Sequence, residues 1–352
     1  MLNIMAKKND MRAIEKNNAG IYTLRHLFLE LTLRCNEHCL HCGSRCGDIS
    51  AEEMTPEQYH EVLTQISKDF DTKQFTLCVT GGEPLLRKDF FEIMDDANKL
   101  GYLWGMTSNG ILITPDVAKD LKRTGMKTIS ISIDGNEETH DAFRRTPGGW
   151  KKAMNGIENL ISTGGFQHIQ VTTVVTHKNI DQLDELYKIF SEMDIDSWRI
   201  INIDPIGRAK DYPDLLLTKE DYVRMFEYIR NKRIAGEPVS YGCSHYLGMD
   251  YEHEVRDWYF HCMAGKEVAS IMCNGNITAC LDIERRPEFI MGNIFKDRFK
   301  DVWENKFQVF RKGVSCENCE KCGDYEFCKG GAYHTWNFDE NKPNVCFRDV
   351  LF

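Results

Sequence analysis

Short apolar runs alternate with amphipathic stretches along the chain as far as about residue 203. The apolar runs begin near residues 27, 75, 103, 128, 169 and 198 and have the length of strands. Between them, apolar residues recur every three or four positions at 56–67, 88–100, 115–123, 150–162 and 180–191, as in amphipathic helices. This alternation predicts an α/β fold in which helices cover a parallel sheet.

The pattern changes at both ends of this region. Residues 1–20 are polar without a clear period, so we expect an N-terminal tail or a short element before the barrel, followed by a barrel domain at 21–205. Nine of the fourteen cysteines lie between Cys243 and Cys346. We therefore predict a bridging region at 206–261 and a cysteine-rich domain at 262–352.

Composition and charge limit the class of protein. With 352 residues, 42% hydrophobic and 28% charged, the chain is long enough for a large core and is not disordered. A net charge of -10 without a basic patch argues against a nucleic-acid partner. The sequence has no apolar stretch of about 18 residues and no signal peptide, which argues against a membrane protein. Fourteen cysteines in a cytoplasmic protein favour thiols that bind metal.

The most informative motif follows the first predicted strand. Cys35, Cys39 and Cys42 are separated by three and two residues. Thiolates suit iron–sulfur clusters, and three of them leave the fourth iron of a cubane cluster open to an outside ligand. The alternative is a zinc site completed by one of three neighbours, namely His38, His41 or Cys46.

A second motif, Gly81-Gly82-Glu83-Pro84, follows the second predicted strand. Together the two motifs resemble the radical S-adenosylmethionine (SAM) superfamily. The resemblance implies a partial (β/α)6 TIM-like barrel, a [4Fe-4S] cluster on the three cysteines, and SAM on the open iron with its ammonium at the second motif. It also implies SAM contacts from the ends of later strands and from a following arginine, here Ser108, Asn109, Ser132, Asp134 and Arg144. His41 takes the place of an aromatic ring near adenine.

The C-terminal cysteines resemble the SPASM domain, which carries one or two auxiliary [4Fe-4S] clusters. Cys262 and Cys280 match the ligands of the inner cluster, and the outer cluster would use Cys319, Cys322, Cys328 and Cys346. Ala332 stands where that family has a further cysteine. The inner cluster then recruits Cys273, Cys316 or Cys243, or keeps an open iron. The alternative is a treble-clef-like zinc domain.

The resemblance implies reductive cleavage of SAM to a 5′-deoxyadenosyl radical and oxidation of a substrate, with an auxiliary cluster accepting the second electron. The resemblance to SPASM-bearing enzymes favours a ribosomally made peptide or protein as the substrate, which the enzyme would cross-link or dehydrogenate. The implied partners are that substrate and a reductant such as flavodoxin or ferredoxin. We expect no leader-binding domain before the barrel, so recognition would use the barrel, the C-terminal domain or a separate protein.

Three other functions stay open on the sequence. An anaerobic sulfatase-maturing enzyme would have an aspartate base directly after the residue that matches Cys280, whereas Leu281 intervenes here before Asp282. A small-molecule substrate is the second alternative. A non-catalytic zinc protein is the third.

Overall fold

A computed structural model of the protein describes residues 3–351. The main sheet contains β1 (His26–Glu30), β2 (Thr76–Thr80), β3 (Leu103–Ser108), β4 (Thr128–Ser132), β5 (His168–Val175), β6 (Ser197–Asn202), β7 (Val239–Tyr241), β8 (Val268–Ile271), β9 (Asn276–Thr278) and β10 (Gly292–Asn293). Neighbouring strands follow the order β10-β9-β8-β1-β2-β3-β4-β5-β6-β7. The strands from β1 to β7 run parallel to their neighbours. A hairpin of β11 (Trp336–Asn337) and β12 (Lys342–Pro343) lies outside this sheet.

Helices connect and cover the strands. They are α1 (Ile4–Asn18), α2 (Pro56–Asp69), α3 (Phe90–Lys99), α4 (Pro115–Arg123), α5 (Glu137–Arg144), α6 (Gly149–Thr163), α7 (Leu183–Ser191), α8 (Lys219–Ile234), α9 (Phe299–Asn305), α10 (Gln308–Arg311), α11 (Glu317–Glu320), α12 (Tyr325–Cys328) and α13 (Phe347–Leu351). Among residues 3–351, none of these helices has both the length and the apolar character that crossing a membrane requires.

Local sequence explains why the helices form where they do. In α2, Thr55 and Gln58 make a reciprocal capping box and Pro56 occupies the first turn. One face of α2 is buried against the sheet. Most predicted strands and helices agree with the structure to within a few residues, and the predicted partial α/β barrel is confirmed.

Residues 4–18, for which the sequence leaves both a tail and a short element before the barrel open, form α1. Lys7 and Met11 are its buried residues, which is too few to give a visible helical period. The ammonium of Lys7 donates to the backbone oxygen of Met249 at 2.9 Å and pairs with Glu254 at 2.6 Å. The helix is therefore fastened to the region that follows β7.

The alternation of strand and helix also continues beyond the predicted end. After α8, the three residues of β7 pair with β6 in parallel, with Val239 opposite Trp198. On the other side of the sheet, β8 pairs in parallel with β1, with Val268 opposite His26. Strands β9 and β10 extend that edge in antiparallel pairs. One sheet thus runs from the barrel into the cysteine-rich region.

Candidate functional site

The first three cysteines lie in the loop between β1 and α2, at the carboxyl end of β1. Burial raises the pKa of Cys35 to about 11 and also raises the pKa of Cys39. The thiols are near enough to one another that each further disfavours ionisation of its neighbours. Three thiolates held together here therefore need a positively charged partner, which iron would supply.

Cys42 has a neighbour that the sequence pattern did not include. The thiol of Cys46 donates to Cys42 and, together with the Cys46 N–H at 3.4 Å from Sγ, lowers the pKa of Cys42. Cys46 is buried in a small cluster with Leu33 and Cys273. From the sequence, Cys46 was a candidate only for completing the alternative zinc site, and it has no place in the cluster motif.

The glycine pair of the second motif packs directly on this loop. A Cβ at Gly81 would lie 2.5 Å from the backbone oxygen of Thr32, and one at Gly82 would lie 2.1 Å from that of Arg34. The Gly82 N–H donates to Thr32 at 2.7 Å. The absence of side chains thus lets the second motif contact the cysteine loop, with Cys35 Cβ only 3.1 Å from a Cβ at Gly82.

The carboxylate of Glu83 joins the ends of β2 and β3. It is fully buried and accepts from the hydroxyl of Ser108 at 3.0 Å and from the N–H of Asn109 at 2.9 Å. Burial raises the pKa of Glu83 to about 7. The side chain of Asn109 also donates to Asn36, at 2.7 Å, within the cysteine loop. Three predicted SAM contacts are thereby brought together.

Arg144 lies between two buried carboxylates. Its guanidinium pairs with Asp134 and with Glu37, each at 2.7 Å. Burial opposes ionisation of Asp134, but the charges of Arg144 and of His41 outweigh it and lower the pKa of Asp134. Ser132 lies half-buried at the end of β4. Glu37, which no sequence motif indicated, thus connects the cysteine loop to the predicted SAM contacts through its ion pair with Arg144.

His41 lies flat on Phe143, with ring centroids 4.4 Å apart and an angle of 10° between the planes. Burial lowers the pKa of His41 to about 4, so the imidazole is neutral near pH 7. Three buried polar atoms of this region have no hydrogen-bond partner among residues 3–351, namely Glu37 Oε1, His41 Nδ1 and His140 Nε2. Buried polar atoms normally have partners, so this is a place for a polar ligand such as SAM.

Arg208 holds the cysteine loop from the far side. Its guanidinium donates to the backbone oxygens of Cys39 and Cys46, and pairs with Asp48 at 3.0 Å. The preceding Gly207 has a φ of 53°, and a Cβ there would lie 2.4 Å from the backbone oxygen of Cys42. A lone Gly-Arg pair in the predicted bridging region gave no sequence signal for this contact.

The inner auxiliary pair consists of Cys262 and Cys280. Burial raises the pKa of Cys280, and the charge of Asp282 raises it further, as does that of Cys262 to a smaller extent. Asp282 is exposed, with Oδ2 3.9 Å from the Cys280 sulfur. Ala332, at the position of the absent cysteine, is buried.

The predicted outer set gathers near the C-terminus. Cys346 interacts with Cys319, Cys322 and Cys328, and the guanidinium of Arg348 contacts the sulfur of Cys322 at 2.6 Å. These four thiols suit one cluster, because each side chain offers a sulfur ligand.

The three candidates for completing the inner cluster lie in three different places. Cys316 belongs to the outer set, with its sulfur 2.8 Å from that of Cys319. Cys273 packs against Cys46 beneath the first cysteine loop. Cys243 lies next to Asp204. The structure thus places Cys316 beside Cys319 and Cys273 beside Cys46, and which of the three residues joins Cys262 and Cys280 stays a prediction.

A positively charged side chain, that of Arg199, lies between β5 and β6. Arg199 of β6 donates from Nε to the hydroxyl of Thr172 at 3.1 Å. Burial lowers its pKa, an effect that the charges of Cys243, Asp282 and Cys78 oppose. This guanidinium suits an anionic ligand.

Comparison with known proteins agrees with this geometry. Residues 29–190 match the Radical SAM superfamily, and residues 262–323 match SPASM, an iron-sulfur cluster-binding domain. The mycofactocin maturase MftC of Mycobacterium tuberculosis is 32% identical over 327 residues, which cover 91% of this chain and 81% of that protein. The chain belongs to the radical SAM superfamily. As a radical SAM protein with a SPASM domain it is an enzyme whose cofactors are iron–sulfur clusters and SAM. The alternative of a non-catalytic zinc protein is therefore wrong.

Other radical SAM proteins share the sequence or the fold. The AdoMet-dependent heme synthase of Methanosarcina barkeri is 27% identical, over 91% of this chain and 95% of that protein. Streptococcus suis SuiB bound to S-adenosylmethionine superimposes with a TM-score of 0.73 at 18% identity, over 94% of this chain and 77% of SuiB. Native anSMEcpe with bound AdoMet gives 0.74 at 21% identity, over 92% and 94% of the two chains. These structures establish the fold of the radical SAM barrel with its C-terminal domain.

Proposed function

We propose that this enzyme oxidatively modifies a ribosomally made peptide or protein, by cross-linking or dehydrogenation. The observation that carries the proposal is the single sheet that joins the first cysteine loop, through β1 and β8, to the region of Cys262 and Cys280. Such an arrangement holds a radical-generating site and an electron-accepting site at a fixed distance. The similarity to a mycofactocin maturase supports a peptide substrate, as does the fold shared with SuiB bound to the precursor peptide SuiA.

At the first site, Cys35, Cys39 and Cys42 would hold a [4Fe-4S] cluster with one iron free for SAM. When bound and reduced, this cofactor pair would supply a 5′-deoxyadenosyl radical that removes a hydrogen atom from the substrate. Gly81 and Gly82 would let the backbone approach SAM, and the segment that they form with Glu83 and Pro84 would bind its ammonium. The remaining proposed contacts to SAM come from Pro84, Ser108, Asn109, Ser132, Asp134, Arg144 and His41.

At the second site, Cys262 and Cys280 would hold an auxiliary cluster, and the outer cysteines would hold another. Their chemistry is to accept the electron that the substrate radical must lose when a new bond forms. Asp282, exposed beside Cys280, is the proposed base that takes the substrate proton. We further propose flavodoxin or ferredoxin as the reductant and a separate protein for leader recognition.

A small anionic substrate is the second candidate. Two observations favour it: the buried guanidinium of Arg199 and the similarity of the whole chain to an AdoMet-dependent heme synthase. Both candidates need the same SAM chemistry, so the substrate alone distinguishes them.

The test uses the anaerobically reconstituted enzyme with SAM, dithionite and short peptides encoded beside its gene. We expect about four iron atoms per cluster, formation of 5′-deoxyadenosine, and a peptide that loses two hydrogen atoms or more. Cys39→Ala should abolish SAM cleavage and leave the C-terminal iron bound. Full 5′-deoxyadenosine formation by Cys39→Ala would contradict the cluster assignment. Active enzyme that leaves every peptide unchanged, but oxidises a small anionic compound, would overturn the peptide proposal.

A further inference from the structure

Three side chains surround the carboxylate of Asp204 at the boundary between the barrel and the C-terminal region. Asp204 follows β6, Cys243 and His245 follow β7, and His334 precedes β11. The side chains of Asp204, His245 and His334 are 8%, 3% and 14% exposed. They therefore lie where water cannot satisfy them easily. Cys243 is a candidate ligand of the inner auxiliary cluster, but that role does not account for the carboxylate and the two imidazoles beside it.

The donor atoms of these residues converge. Oδ2 of Asp204 lies 3.1 Å from Nε2 of His245 and 3.5 Å from Nε2 of His334. One ligand atom from each of Asp204, Cys243 and His245 lies within 4.8 Å of the other two. The rings of His245 and His334 are 5.6 Å apart. Ligands of one metal ion, at about 2.0–2.3 Å from it, lie at separations close to the two Asp204 contacts. His334 stands outside the group of three mutually close ligand atoms and joins it through Asp204.

The surroundings orient the carboxylate. The side-chain amide of Asn202 donates to Oδ1 of Asp204 at 2.8 Å, and the hydroxyl of Tyr241 in turn donates to Asn202. Oδ1 is thereby satisfied by the protein, and Oδ2 is directed toward the two imidazoles. The ring of Phe347 covers His245, with centroids 4.7 Å apart. Hydrogen bonds of this kind to a ligating carboxylate, and apolar cover around it, are typical of metal sites.

We propose that Asp204, Cys243, His245 and His334 form a mononuclear site for a divalent cation of the zinc class. The donor set has one thiolate, two imidazoles and one carboxylate, which are the ligands that zinc uses in four-coordinate sites. Magnesium and calcium prefer oxygen ligands alone and do not suit it. One carboxylate and one thiolate also balance the two positive charges of the ion. The site is additional to the iron–sulfur clusters and does not depend on the identity of the substrate.

A bound ion at this position would fasten three parts of the chain. It would join the ends of β6 and β7 to the segment that precedes β11, where Ala332 replaces the expected cysteine. With four protein ligands it would have no open coordination position, and its role would be structural. It gives Cys243 a function that does not require it to complete the inner auxiliary cluster.

The first test is zinc analysis of the reconstituted holoenzyme after extensive dialysis, followed by X-ray absorption at the zinc edge. We expect about one zinc per chain, with one sulfur at about 2.3 Å and three nitrogen or oxygen ligands at about 2.0–2.2 Å. Less than about a tenth of a zinc per chain would overturn the proposal, since four-donor structural sites bind zinc tightly. A spectrum with four sulfur ligands would also overturn it, because it would place zinc on the C-terminal cysteines.

The second test uses variants. Cys243→Ser and His334→Gln should each lower the zinc content by about tenfold or more and leave iron and sulfide unchanged. The matched controls are Cys78→Ser, which removes another half-buried thiol, and His60→Ala, which removes another His–Asp contact, at 3.0 Å. Both controls should retain zinc. Variants that keep zinc but lose iron would instead make these residues cluster ligands. If a variant fails to fold and loses both metals, the zinc-edge spectrum of the unmodified enzyme still tests the proposal through the number of sulfur ligands.

Discussion

The guanidinium of Arg208 donates a hydrogen bond to the backbone oxygen of Cys39, although the two residues are 169 positions apart in the chain. A second donor of the same guanidinium reaches the backbone oxygen of Cys46 at 2.8 Å. Both ends of the loop that carries Cys42 are therefore held by one buried side chain. Loss of that side chain would remove the donor to the Cys46 oxygen and leave the Cys39 oxygen with only the Cys42 N–H, at 3.3 Å, while Asp48 would keep its contact with His38.

We expect Arg208→Met to lower the free energy of unfolding by about 3 kcal/mol, because it removes charge-assisted hydrogen bonds to two backbone carbonyl groups. It should also reduce iron retention at the first cysteine loop. Urea denaturation and iron analysis check both effects. Arg208→Lys keeps the positive charge but not the planar guanidinium. Its free energy of unfolding should therefore lie between those of the unmodified enzyme and of Arg208→Met. An unchanged urea midpoint in Arg208→Met would show that the contact is not important for stability.

Gly82→Ala should displace Cys35, because the new Cβ would lie 2.1 Å from the backbone oxygen of Arg34 and 3.1 Å from the Cβ of Cys35. We expect SAM cleavage to fall by about a hundredfold or more, since a misplacement of about 1 Å has that effect on catalysis. The measurement is the rate of 5′-deoxyadenosine formation. Gly323→Ala is the control, since a Cβ there meets nothing within 4 Å. Equal rates in the two variants would argue against this close packing.

Cys46→Ala removes the thiol that donates to Cys42. Hydrogen bonds to cluster sulfurs favour the reduced, more negative form, so the reduction potential of the first cluster should fall. A bond of about 1 kcal/mol corresponds to a decrease of about 40 mV for one electron. Potentiometric titration followed by electron paramagnetic resonance measures it, with Cys78→Ala as the control. A potential that is unchanged or higher would contradict the role of Cys46.

Glu83 should make stability depend on pH. Burial raises its pKa to about 7 from 4.5, so the folded protein keeps a proton that the unfolded chain releases between these values. The unfolding free energy should therefore decrease as the pH rises through this window, by about 3 kcal/mol at about 1.4 kcal/mol per unit of pKa. Glu83→Gln should remove this part of the dependence. Urea denaturation between pH 5 and pH 8 compares the cluster-free enzyme with the cluster-free Glu83→Gln variant. Parallel pH profiles of the unfolding free energy would show that Glu83 is not the source of the pH dependence.

The sequence predicted the parts of the site that are local. Cys35, Cys39 and Cys42 share one loop, and the glycine pair follows the next strand, so spacing along the chain was sufficient. The strands β1 to β6 were predicted for the same reason, because apolar runs and amphipathic periods are local signals.

The parts that were missed depend on contacts between distant segments. Strand β7 has three residues and no measurable period, and it is identified only by its pairing with β6. Arg208 and Glu37 are single charged residues whose roles arise from the fold. The positions of Cys273 and Cys316 likewise follow from tertiary packing, which spacing between cysteines does not report.

Strand β1 has partners on both sides, β2 within the barrel and β8 from the cysteine-rich region. A fragment that ends at residue 205 would thus expose the backbone donors and acceptors of a buried central strand. Exposed strands of this kind promote self-association, so the isolated barrel should aggregate rather than serve as a free-standing catalyst. Exchange of C-terminal domains between relatives would therefore need a matching β8, since the junction is a row of main-chain hydrogen bonds instead of a flexible tether.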